Sequence, residues 1–95
     1  MPWDVRLQDE RGKPVVPQDA QIEFGTIPDT GEFKLLGYID RYSDTYFNHG
    51  QMRDFLADWD KLNPVGDQRD QWRLVREMAI RCLDEYHLYL RFIGD

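Results

Sequence analysis

Apolar and polar residues alternate from the start of the chain. Trp3, Val5 and Leu7 interleave with Asp4, Arg6 and Gln8, the period of two shown by a strand with one face on a core. A turn follows over residues 9–12. Val15 and Val16 sit between Pro14 and Pro17, and because proline cannot donate to a ladder this predicts a short return segment at a sheet edge. Ile22 and Phe24 alternate with Gln21 and Glu23, which predicts a second strand ending at Gly25 and forming a hairpin with the first. Phe33, Leu35, Gly37 and Ile39 share one side of a third period-two run and Lys34, Leu36 and Tyr38 the other. Apolar residues on both sides predict a central strand, and the turn-forming residues from Asp40 to Asp44 would join it as a hairpin to Thr45, Tyr46 and Phe47.

After Asn48 the period changes. Asn48 and Gln51 have the spacing of a capping box, in which each side chain bonds the other's backbone N–H at a helix start. Met52, Phe55, Leu56, Trp59 and Leu62 then recur as one helical stripe, with Arg53, Asp54, Asp58, Asp60 and Lys61 expected on the solvent side. The segment Asn63-Pro64-Val65-Gly66 breaks this helix, and Asp67 is positioned to cap a second, antiparallel one that runs to about Asp84 with Trp72, Val75, Met78, Ala79, Cys82 and Leu83 inward. Leu88, Leu90 and Phe92 alternate with Tyr89, Arg91 and Ile93 in a last strand too apolar to stand alone, so it belongs inside the sheet, beside the first or third strand. The expected fold is a single α+β domain over residues 1–95: a small antiparallel or mixed sheet of four to five strands, two antiparallel helices packed on one face, and the final strand at the C-terminus.

Composition narrows the function. Ninety-five residues with thirteen aromatics can bury one core without metal or disulfide. The formal net charge is −6, divided as −4 over residues 1–48 (five basic, nine acidic) and −2 over residues 49–95 (seven basic, nine acidic). Binding to duplex DNA or to an anionic membrane draws on clustered lysine and arginine, so neither is expected; a basic protein partner suits the charge better. Cys82 alone makes no internal disulfide and no four-cysteine zinc site. No apolar run approaches the roughly 20 residues of a membrane span, and the first residues lack the basic and apolar regions of a signal peptide, which gives a cytoplasmic expectation.

Two stretches carry a resemblance: Tyr38-Ile39-Asp40-Arg41-Tyr42-Ser43-Asp44-Thr45-Tyr46-Phe47-Asn48 with Gln51, and the ending His87-Leu88-Tyr89-Leu90-Arg91-Phe92-Ile93-Gly94-Asp95. Together, about a quarter of the chain, they resemble a family of small uncharacterised bacterial proteins with an Ile-Asp-x-Tyr-Gly-Asp-Thr-x-Phe-Asn segment before a helix and a C-terminal strand ending Phe-Ile-Gly-Asp. The resemblance implies a bacterial source and a shared fold, and no activity. Ser43 stands where that pattern has glycine, which predicts slight strain if the turn requires a positive φ.

Candidate chemistry concentrates around this turn. Asp40, Asp44 and His49 with Asn48 lie within ten residues, where acid/base groups or cation ligands could converge, but their spacing matches no calcium loop, and the aspartates also suit turn bonding and Asn48 a cap. His49 and His87 are the only histidines and lack zinc-ligand spacing. Cys82 falls on the apolar stripe, as a buried structural thiol would. Arg69, Arg73, Arg76 and Arg81 form a basic stripe interrupted by Asp70, Glu77 and Asp84, which reads as a solvated helix face. Tyrosine gives contact area at low entropic cost, so Tyr38, Asp40, Tyr42, Asp44 and Tyr46 make the candidate binding patch.

Three functions are expected from this reading. The leading one is a noncatalytic protein-binding module of inhibitor, immunity or accessory type, needing no cofactor or metal and having no catalytic residue. The alternatives are a small hydrolase or metal-dependent enzyme using Asp40, Asp44 and His49, and a structural homodimer formed through an unpaired strand edge.

Overall fold

The structure, a computed structural model, describes residues 3–24, 28–62, 64 and 66–94. Four strands form one antiparallel sheet: β1 (Trp3–Asp9), β2 (Ala20–Ile22), β3 (Thr45–Asn48) and β4 (Leu88–Ile93), in the order β2-β1-β4-β3. Two helices, α1 (Met52–Asp60) and α2 (Arg69–Asp84), cover one face. The predicted α+β architecture is therefore the observed one. β4 pairs with β1 on one side and β3 on the other, so the last strand lies inside the sheet, as does β1.

The pleat decides what each strand contributes. Trp3, Val5 and Leu7 of β1, Ile22 of β2, Phe47 of β3 and Leu88, Leu90 and Phe92 of β4 are buried with the helices' Met52, Phe55, Trp59, Trp72, Val75, Met78 and Cys82. Aromatic rings run through the middle of this core. Phe47, Phe55 and Phe92 form one contiguous group, and Phe55 stacks on Trp59, which stacks on Trp72 at 4.4 Å between centroids. Among the described residues no helix lies on the opposite face of the sheet.

The structure departs from the sequence expectation at residues 33–39. They form no strand; Leu36–Tyr38 is a short 3-10 helix, and the buried residues Phe33, Leu36 and Ile39 are spaced by three, not two. Asp58 is the cause. Expected on the solvent side of α1, it is 2% exposed, and its carboxylate accepts the backbone N–H groups of Lys34 (3.2 Å), Leu35 (2.7 Å) and Leu36 (3.1 Å). With those donors bound to a helix side chain, the segment cannot offer them to a ladder. Gly37 also packs so closely that a Cβ there would lie 2.4 Å from the Thr30 nitrogen. Consequently β3 closes no hairpin with residues 33–39 and pairs with β4.

Smaller corrections follow the same logic. Residues 14–16 contribute an isolated bridge, Gln8 to Pro14, with the Val15 N–H donating to the Leu7 carbonyl, and no strand. The second strand stops at Ile22, before Phe24. Gln68, not Asp67, is the N-cap of α2, without a side-chain cap bond; its amide instead exchanges hydrogen bonds with the Glu23 backbone. The expectations for Gly25, Asn63 and Val65 lie outside the described residues. The Asn48–Gln51 capping box is present in both directions, opening a 3-10 turn that leads into α1.

Candidate functional site

The turn between the 3-10 helix and β3 is anchored from three directions. The Trp3 indole N–H, from the first residue of β1, donates to the Asp40 carbonyl oxygen at 3.1 Å. Within the turn, the Asp40 carboxylate accepts the Tyr42 N–H at 2.8 Å, the local bond by which aspartate shapes a turn. Charge-assisted hydrogen bonds from the Tyr42 N–H and then from the Ser43 hydroxyl hold this carboxyl below its usual pKa range. From beneath, Gly94 at the end of β4 approaches so closely that a Cβ would lie 2.3 Å from the Ser43 carbonyl oxygen and 2.7 Å from that of Asp40. Ser43 itself is unstrained: positive φ occurs, among the described residues, only at Gly12 and Gly66.

The uncovered face of the sheet supplies the fourth anchor. Antiparallel register sets Arg6 of β1 opposite Arg91 of β4, and Arg91 opposite Tyr46 of β3. Two like charges face to face are unfavourable, and each is compensated by a carboxylate from a flanking loop. Arg6 grips Asp19 through both ends of its fork at 2.9 Å, a pairing that raises the guanidinium's pKa. Arg91 pairs with Asp44, with its Nε at 2.9 Å, reaches Gln8, and lies 5.3 Å from the centre of the Tyr46 ring as a cation–π contact. Asp44 thus ties the turn to the sheet with its charge balanced.

What is exposed on this turn is largely aromatic, with Arg41 beside it. Tyr38, Tyr42 and Tyr46 are 67%, 76% and 51% exposed, and Asp40 has no cationic partner among the described residues. The structure unites Asp44 and Tyr46 through Arg91, and Asp40 with Tyr42 through the turn bond; among the described residues no side-chain hydrogen bond joins Tyr38 to them. Tyr86, 81% exposed, lies far along the chain, before β4, against His87.

The acid/base constellation is divided. Asp44 bonds Arg91 on the open face, whereas His49 Nδ1 lies 3.2 Å from the Cys82 carbonyl of α2, on the helix side. Among the described residues no three His, Cys, Asp or Glu side chains are grouped to hold a metal ion. Cys82 is fully buried, its Sγ donating to the Leu88 carbonyl, and loss of solvation pushes its thiol up to about 11. No helix among the described residues is long and apolar enough to cross a membrane.

Arg6, Arg91 and Gln8 were not among the sequence candidates. The alternation already put Arg91 and Arg6 on polar faces, but their opposition depends on β4 lying beside β1 in this register. Several residues of the resembling segments have a packing or bonding role: Asp40 shapes the turn, Asp44 binds Arg91, Phe47 fills the core, Asn48 caps, and Gly94 lets the turn sit down. Tyr42 and Arg41 are exposed, and among the described residues neither side chain has a hydrogen bond, ion pair or ring contact. No protein-family model matches the chain, and no curated protein or solved structure matches it either.

Proposed function

We propose that this protein is a noncatalytic protein-binding module that captures a partner with the turn from Tyr38 to Tyr46. The observation that carries the reading is Tyr42, a large side chain 76% exposed at the tip of a turn fixed by Trp3, Asp40, Gly94 and the Asp44–Arg91 pair. An aromatic held out on an already ordered backbone binds without a large ordering cost, which is how tyrosine-rich binding surfaces gain affinity. With Asp44 balanced by Arg91, the turn offers a partner three exposed tyrosines, the exposed Arg41 and, beside it, the Asp40 carboxylate. A basic surface complements it, a lysine or arginine meeting Asp40 and lying against a tyrosine face. A bacterial, cytoplasmic setting belongs to the same proposal, the first on the strength of the resembling segments and the second on that of the single cysteine, Cys82.

The test is affinity capture with three forms of the protein. A partner retained by wild type and by Tyr86→Ala, but lost with Tyr38→Ala/Tyr42→Ala/Tyr46→Ala at unchanged melting temperature, supports the reading. Equal capture by all three forms refutes it.

A further inference from the structure

A second surface, on the helix side, has the opposite chemistry. Trp59, Leu62, Pro64 and Trp72 line a cleft of about 280 Å³ where the end of α1 meets α2. Its walls include two indoles stacked on each other, and its rim carries Arg69 and Arg73 from the first two turns of α2. Arg76, also at the rim, is paired with Asp60 through both ends of its fork. Arg69 and Arg73 are exposed and have no carboxylate or other partner among the described residues, although Glu77 follows Arg73 by one helical turn. On a chain of net charge −6, two uncompensated guanidinium groups beside an apolar recess are a local inversion of the overall charge.

An independent observation falls on the same side chain. Trp72 is 5% exposed, and its indole N–H, unlike that of Trp59, which donates to the Trp72 carbonyl at 3.2 Å, is a buried donor with no acceptor among the described residues. Buried donors in native proteins are nearly always bonded, so Trp72, one of the residues lining the cleft, carries an unmet hydrogen bond.

We propose that this cleft docks an acidic peptide segment of another protein, an apolar side chain resting in the recess lined by Trp59, Leu62, Pro64 and Trp72 while flanking carboxylates bond Arg69 and Arg73. The size fits one large side chain, smaller than the usual small-molecule pocket. Planar guanidinium groups match carboxylates in two-pronged geometry, and arginine beside tryptophan is the pairing that concentrates binding energy at protein interfaces. This surface is separate from the tyrosine turn.

The experiment titrates the intact, nitrogen-15-labelled protein with a capped peptide carrying one phenylalanine between pairs of glutamates. Saturable movement of the Trp59 and Trp72 indole N–H signals is expected, with the Trp3 signal still. The double variant Arg69→Gln/Arg73→Gln, at exposed positions, should keep its melting temperature and bind about tenfold more weakly, one decade in the dissociation constant. Tyr42→Ala should bind as wild type, which separates this result from the fate of the tyrosine-turn reading. No saturable movement at millimolar peptide, equal binding of the peptide with lysines in place of glutamates, unaltered binding by the double variant, or tighter binding of a short single-stranded oligonucleotide would each overturn the proposal.

Discussion

Two neighbouring stretches between strands, residues 33–39 and 40–44, are both organised by an aspartate that accepts backbone N–H groups, and they end up with opposite fates. In the first, the carboxylate is Asp58, 22 to 24 residues further along the chain and buried; it takes three N–H groups and turns Phe33, Leu36 and Ile39 into the core. In the second, it is Asp40, local and exposed; it takes the Tyr42 N–H and leaves Tyr42 facing outward. A distant, buried anchor makes a loop part of the core. A local, exposed one shapes a loop and leaves its side chains available, and for that reason the candidate site is the second stretch.

The contrast can be broken most severely at Asp58. Asp58→Ala strands three N–H groups of which that of Leu36 is buried, and should cost on the order of 3–5 kcal/mol, read as a fall in the urea midpoint of tryptophan fluorescence. Asp40→Ala, at the exposed anchor, should shift that midpoint far less.

Next in size is Gly94→Ala, whose new methyl meets the Ser43 and Asp40 backbone; a cost of about 1–3 kcal/mol is expected from overpacking, with amide shifts concentrated at residues 40–44. Asp44→Asn is smaller, about 1 kcal/mol or less because the pair with Arg91 is partly solvated; it should also loosen Tyr46, measurable as faster ring averaging.

The smallest effect is acid. The Asp40 carboxyl is held below the ordinary aspartate value of about 3.9, so its contribution is fully present above that value and fades as pH falls through the lower folded value. The Tyr42 amide signal should therefore move only below about pH 4, and Asp40→Asn should flatten that titration.

Much of this architecture was legible because it is local. Trp3, Val5 and Leu7, then Leu88, Leu90 and Phe92, announce half-buried strands by alternation; Met52, Phe55 and Trp59 announce a helix face; Asn48 and Gln51 announce its cap. The failures are non-local. Period-two spacing at 33–39 gave way to a carboxylate reaching across from α1, and Asp58, within a run of charged residues, carried no local sign that it would turn inward. At the site, the bond from Asp40 to its own turn could be foreseen from residue type, whereas the tie between Asp44 and Arg91 depends on β4 entering the middle of the sheet, a fact of strand order that spacing does not encode.

The central claim, that Tyr42 is held outward to meet a partner protein, is tested most directly by a photo-crosslinking amino acid in place of Tyr42, with the same group in place of Tyr86 as the equally exposed comparison. After irradiation in cells, a discrete protein adduct from position 42 that is absent from position 86 is the predicted result. No adduct at 42, or the same adducts from both positions, would contradict it.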